Sequence, residues 1–200
     1  MMKRNGFWYS MGKKELLSMA KKAYGIAYQH GFHDTRHSNM HWLMLCVSEI
    51  GEMVDADRRG RRAKPSNVRT CDPGFYSSFE RYVKNTFEDE MADVFIRILD
   101  FASAINVEDM LGNDVGILDM SDEFKSLFGD YTNAERCFFL TKMLCGIDEN
   151  MSDADVANIL SYSLSFILEY ARFLRIDLRK HISLKMRYNA LRPPLNGKLY

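Results

Sequence analysis

Apolar residues recur three and four positions apart along most of the chain, and polar breakers cut this periodicity into segments of helical length. The first predicted helix spans about 13–29, where Leu16, Leu17, Ala20, Ala23, Tyr24 and Ala27 repeat at helical spacing and Gly31 supplies a stop. A polar turn over 31–39 precedes a second helix, which starts at Ser38 or Asn39, passes through Leu43, Cys46, Val47, Ile50 and Val54, and ends at Arg59-Gly60. Residues 61–76, with Pro65, Pro73, Gly74 and several basic side chains, form a loop by their breakers. A single long helix is predicted over 78–105, with Phe79, Val83, Phe87, Met91, Val94, Phe95, Ile98, Leu99 and Ala102 on one broad face. A connector over 106–122 then leads to helices over 133–146, 152–174 and 178–191, and Pro193-Pro194 closes the helical part. Ser152 with Asp155 three residues on is an imperfect capping box for the second of these. The expected fold is an all-α helical bundle, read as one domain over 1–200.

Composition narrows the class. At 200 residues with 46% hydrophobic and 27% charged, the chain can bury a proper core, and its four prolines suit long helices better than many short strands. Lys plus Arg and Asp plus Glu each number 27, so no global field draws the chain to nucleic acid or a membrane, and neither is an expected partner. Any phosphate chemistry must come from local clusters. Cys46, Cys71, Cys137 and Cys145 include no CxxC pair, and the apolar stretch near the N-terminus is too short for a secretory signal. A reduced, cytoplasmic protein is expected.

Two acidic pairs then stand out. Glu49 and Glu52 are three apart on one predicted helix, and Glu90 and Asp93 are three apart on another, so each pair projects from one face. Each pair also lies within an apolar stripe: Glu49 between Val47 and Ile50, Asp93 between Met91 and Val94. Packing carboxylates side by side costs several kcal/mol per ion unless a cation compensates. Oxygen donors with no cysteine pair and no histidine in register suit magnesium, or manganese, better than zinc. The plain alternative is that both pairs are solvated surface acids, since such spacing is common in helices. On the last helix Lys185, Asn189 and Arg192 fall at i, i+4 and i+7, so an ammonium, an amide and a guanidinium can grip phosphate oxygens together. The plain reading there is a solvated basic helix end. Arg61, Arg62 and Lys64 read as a solvated basic loop rather than as further phosphate contacts.

Glu49-Ile50-Gly51-Glu52 with Glu90-Met91-Ala92-Asp93 resembles the paired ExxE and ExxD signature of the MazG-like all-alpha nucleoside triphosphate pyrophosphohydrolases, relatives of the dimeric dUTPases. Lys185-Met186-Arg187-Tyr188-Asn189-Ala190-Leu191-Arg192-Pro193, followed by Gly197-Lys198, is similar to the closing helix of that family. The resemblance covers 39–108 and 177–198. It implies magnesium on Glu49, Glu52, Glu90 and Asp93, phosphate contacts from Lys185, Asn189 and Arg192, and hydrolysis of a nucleoside triphosphate to monophosphate and pyrophosphate, with Glu49 as candidate base. Members build a four-helix core from paired subunits, whereas this chain carries an extra stretch over 112–161. That stretch is either an insertion, in which case a homodimer is expected, or a degenerate second half. Residues 95–110 and 166–181 share a pattern of apolar helix followed by Val or Ile and an acid, which fits such a duplication. No second acidic quartet is present, so one active site per chain is expected.

Other chemistries fit less well. His33, His37 and His41 are four apart and could line a helix face as metal ligands, but Gly31, Asp34, Ser38 and Asn39 argue for a loop and cap there. His33-Asp34 lacks the further histidines and aspartates that an HD phosphohydrolase needs, and no glutamate has a histidine three residues on, as a di-iron carboxylate bundle requires. The base of the nucleotide is left open, with Gln29, His33, Asn39 and Trp42 as candidate contacts. The alternative from another class is a non-catalytic helical protein whose acidic cluster binds only a cation or a partner, its 13 methionines and Trp42 forming core or interface.

Overall fold

The computed structural model describes residues 3–4, 7–8, 11–112, 114–115 and 128–197. It is all-α, with helices α1 (Lys13–Gln29), α2 (Asn39–Arg58), α3 (Phe75–Tyr82), α4 (Phe87–Ala104), α5 (Asn133–Leu144), α6 (Asp153–Leu174) and α7 (Leu178–Ala190). Among the described residues, strand pairing is confined to two-residue ladders, Lys3–Arg4 with Phe7–Trp8 and Met11–Gly12 with Asp114–Val115. No helix among the described residues is long and apolar enough to cross a membrane.

Helix α4 is the axis of the bundle. Met91, Ala92, Val94, Phe95, Ile98, Leu99, Phe101 and Ala102 are all fully buried, so its apolar surface runs nearly all round, as a helix surrounded by others requires. It packs against α1, α2, α6 and α7, while α5 lies between α2 and α6. One cluster of buried side chains from Met11 to Met186 joins these elements. A smaller one, Val68, Phe75, Phe79, Val83 and Tyr188, seats α3 and the loop before it on α7.

The long helix expected over 78–105 is two helices. Val83 and Lys84 close α3 by donating to Phe79 O, and Asn85 then turns to φ 58. Thr86 caps α4, its Oγ1 accepting the Asp89 N–H at 3.4 Å, and Asp89 Oδ2 takes the Asn85 N–H at 3.0 Å. The left-handed region is one that asparagine enters far more readily than branched residues do. Asn85→Val is therefore expected to destabilise the fold by about 1–2 kcal/mol, and Asn85→Gly to be tolerated; thermal unfolding of both variants checks this.

Elsewhere the expected caps form. Ser152 accepts the Asp155 N–H at 3.2 Å, as the partial capping box at α6 anticipates, while α5 carries a complete one, Thr132 with Glu135. The likeness between 95–110 and 166–181 has a local physical basis. Asn106 and Arg175 both adopt φ 60, and the next residue in each case donates back to the helix, Val107 to Ala102 O and Ile176 to Ala171 O, both at 2.8 Å. Both helices thus end in the same terminator, each with a buried acid shortly before it, Asp100 and Glu169.

A candidate active site of convergent carboxylates and a facing lysine helix

The bundle brings the four predicted acids to one cleft of about 250 Å³. Helix α2 contributes Glu49 and Glu52, α4 contributes Glu90 and Asp93, and α7 closes the opposite side with Lys185 and Asn189, followed by Arg192. Ala23, Ile26 and Ala27 of α1 form an apolar flank. All seven residues singled out in the sequence therefore line one space, although the chain separates the acids from the lysine helix by some ninety positions.

Two of the four acids, Glu49 and Glu90, are buried rather than part of a solvated face. Glu49 is 5% exposed and Glu90 2%, while Glu52 is exposed at the cleft mouth. One carboxylate oxygen from each of Glu49, Glu52 and Glu90 lies within 4.8 Å of the others, close enough for a single cation to be shared. Asp93 is not part of this trio, and its Oδ2 is 2.6 Å from Lys185 Nζ. Lys185 also reaches Asp89 Oδ2, at 2.9 Å.

Further site residues were not anticipated from the sequence. Arg97 donates from Nε to Glu49 Oε1 at 3.2 Å and lies over the Phe32 ring. It follows Asp93 by four and Glu90 by seven, so helical spacing alone places it on the acidic face. Asp89 is 1% exposed, and its pairing with Lys185 across the bundle leaves no mark in local spacing. Lys84 and Asn85 line the cleft from the break between α3 and α4. Lys84 and Arg192 each sit 5.7 Å from the centroid of the Tyr188 ring, and Tyr188 donates to Glu80 at 2.9 Å.

The electrostatics follow from burial. Desolvation, with Asp93 beside it, pushes the Glu90 carboxyl up to about 9, and desolvation raises Asp89 to about 6 against the pull of Lys185. Glu49 is raised as well, by burial first and by Asp93 second, with Arg97 opposing. A carboxyl whose folded pKa lies above its unfolded value stabilises the fold below the unfolded pKa, and that contribution is lost as pH rises through the folded one. Without divalent cations the melting temperature is thus expected to fall between pH 5 and 9 through Glu90. Thermal melts in chelator across that range measure it, and a melting temperature that rises with pH would contradict the assignment.

The remaining predictions divide. His33, His37 and His41 make no ligand cluster among the described residues. His33 Nε2 lies 2.8 Å from Asp100 Oδ1, with its ring between Tyr24 and Trp42, and His37 stacks on His41 at 3.8 Å. Arg62 pairs with Asp57 and lies over Phe87, and neither Arg61, Arg62 nor Lys64 lines the cleft. The four cysteines are free thiols, two buried and two exposed.

No family model, curated protein or solved structure matches the chain.

A divalent cation suits the donors present. Three glutamate oxygens converge, the donor set is oxygen only, and Asp89 Oδ1 and Asn189 Oδ1 are buried with no hydrogen-bond partner. Of the two, Asn189 lines the cleft, and an unpaired acceptor oxygen there is one that a cation or a hydrogen-bond donor would satisfy.

Proposed function

We propose that the protein is a divalent-cation-dependent nucleoside triphosphate pyrophosphohydrolase, converting a nucleoside or deoxynucleoside triphosphate and water to the monophosphate and pyrophosphate. One observation carries the reading: carboxylates from α2 and α4 share a single cleft with Lys185 and Asn189 of α7 and with Arg192 just beyond it. A triphosphate needs both walls, an acidic one for the cation that accompanies it and a basic one for its own oxygens. The resemblance of the two acidic motifs and the closing helix to the MazG-like enzymes points the same way.

Glu49, Glu52, Glu90 and Asp93 would hold magnesium or manganese. Such an ion, when bound, neutralises the triphosphate and polarises its phosphoryl oxygens. Within the chain, Lys185, Asn189 and Arg192 orient the phosphates, with Lys84 as a further cation at the rim. Glu49 is the proposed base: burial makes it more basic than an ordinary carboxylate, and Arg97 fixes one of its oxygens, so the group is both oriented and able to accept a proton from water. Water then adds at phosphorus, the bridging bond between the α- and β-phosphates breaks, and pyrophosphate leaves. The apolar flank of α1 keeps bulk water from one side of the cleft.

The second reading, a cation- or partner-binding protein without turnover, draws on the ion pairs Arg97–Glu49 and Lys185–Asp93, which partly neutralise the acids internally. A crystal grown with manganese and an α,β-imido nucleoside triphosphate separates the two. The proposal expects anomalous density among Glu49, Glu52 and Glu90 with the triphosphate against α7. Manganese alone, with no nucleotide at saturating concentration, would support the second reading.

A further inference from the structure

Lys185 does not stand free to meet a phosphate. The residue is 5% exposed, its ammonium sits between Asp93 and Asp89, and the Asp89 oxygen it contacts is already fixed by the Asn85 N–H. Asp93 is one helical turn from Glu90 on the same face of α4, yet it is the acid missing from the trio of converging glutamate oxygens. Lysine and the trio thus divide the acidic residues of the cleft between them. A divalent cation that recruits Asp93 and an ammonium 2.6 Å from the same carboxylate repel each other in a poorly solvated space, which favours exchange of one for the other. The lysine stem is flexible, and its anchor to Asp89 can persist while the ammonium swings away from Asp93.

We propose that Lys185 is the resident counter-cation of Asp93, displaced when a divalent ion binds and thereby delivered to the triphosphate. The inference rests on the reading of the cleft as a cation site. It makes Lys185 a positioning residue as well as a phosphate contact, and it couples the two ligands: the ion releases the lysine, and the released lysine binds phosphate. The coupling has a signature that a simple phosphate contact lacks. Removing the lysine must strengthen binding of the ion alone and weaken binding of the polyphosphate.

The test is a titration of the full chain with Mn²⁺ alone, read by electron paramagnetic resonance, and with inorganic tripolyphosphate, read by calorimetry. Wild type, Lys185→Met, Asp93→Asn and the double variant are compared. Lys185→Met is expected to tighten Mn²⁺ about 5- to 150-fold, the usual span of coupling between sites, and to weaken tripolyphosphate. In the Asp93→Asn background the tightening should largely vanish. Unchanged or weaker Mn²⁺ binding in Lys185→Met overturns the exchange, as does equal tightening with Asp93 already replaced, which would signify only a general change in field. Absence of Mn²⁺ binding in every variant, wild type included, would instead remove the cation-site reading itself. If Lys185→Met does not fold, the Nζ resonance of Lys185 in the wild type decides: it should shift at Mg²⁺ concentrations that raise the melting temperature, and a static resonance there overturns the proposal.

Discussion

Glu90→Gln is expected to lower kcat/KM on nucleoside triphosphates by on the order of 100-fold or more, the scale on which even outer partners of a metal site are felt, while making the cation-free protein more stable. The two effects have one cause. Glu90 is 2% exposed among Asp89, Asp93 and Glu49, and its charge is so disfavoured that its pKa climbs to about 9. Glutamine keeps the shape and discards the ionisable group, and each pKa unit of disfavoured ionisation that is removed is worth about 1.4 kcal/mol. For a domain of this size each kcal/mol moves the melting temperature by roughly 2–4 °C. Melts in chelator near pH 8 and steady-state assays on the same preparation read both quantities. A variant that is less stable and equally active would mean that Glu90 is a structural acid with a partner of its own.

Arg97→Met is expected to produce the largest loss of stability, about 3–5 kcal/mol, or on the order of 10 °C in melting temperature. The guanidinium pairs with Glu49 and lies over the Phe32 ring, with Asp93 and Asp100 adding to its electrostatic hold, and its removal strands Glu49 as a buried charge. Burial already raises Glu49, and Arg97 opposes that rise, so the variant should protonate Glu49 at a still higher pH. With the folded pKa above the unfolded one, the deficit is smallest under acid conditions and grows as pH rises through the Glu49 transition. Chemical denaturation of wild type and variant at pH 5 and pH 8 measures this. A deficit that is the same at both would assign the loss to packing against Phe32 rather than to charge.

These two residues also mark how far the sequence could be read. Helix α1 has the predicted bounds, and Gly60 stops the turn after α2 at φ 64, because apolar periodicity and a glycine terminator are local signals. The break between α3 and α4 has one local signal, Thr86 with Asp89 at the same spacing as Ser152 with Asp155, but the apolar period runs through it. Phe79, Val83, Phe87 and Met91 follow one another every four residues straight across it, since both helices turn an apolar face to the same core. The left-handed Asn85, held by Asp89, shows where the chain turns, and an asparagine in a helical pattern does not announce that by itself.

The site divides in the same way. Spacing tells which side chains share a helix face, so Glu49 with Glu52, Glu90 with Asp93, and Lys185 with Asn189 were legible, and Arg97 was available by the same count. Which faces meet depends on packing between α2, α4 and α7. The contact of Lys185 with Asp93 and Asp89 joins positions more than ninety residues apart, and no local pattern encodes it. Asp89, adjacent to Glu90 in the chain, reads as an ordinary first-turn acid until Lys185 is seen beside it.

The most direct measurement is product analysis with magnesium and a panel of canonical and modified nucleoside triphosphates, wild type beside Glu52→Gln and Asp93→Asn. Monophosphate and pyrophosphate in equal amounts from the wild type, with both variants silent and the reaction stopped by chelator, is the predicted result. No turnover on any triphosphate, with magnesium still raising the melting temperature, would contradict the enzyme and leave a protein that binds the ion without using it.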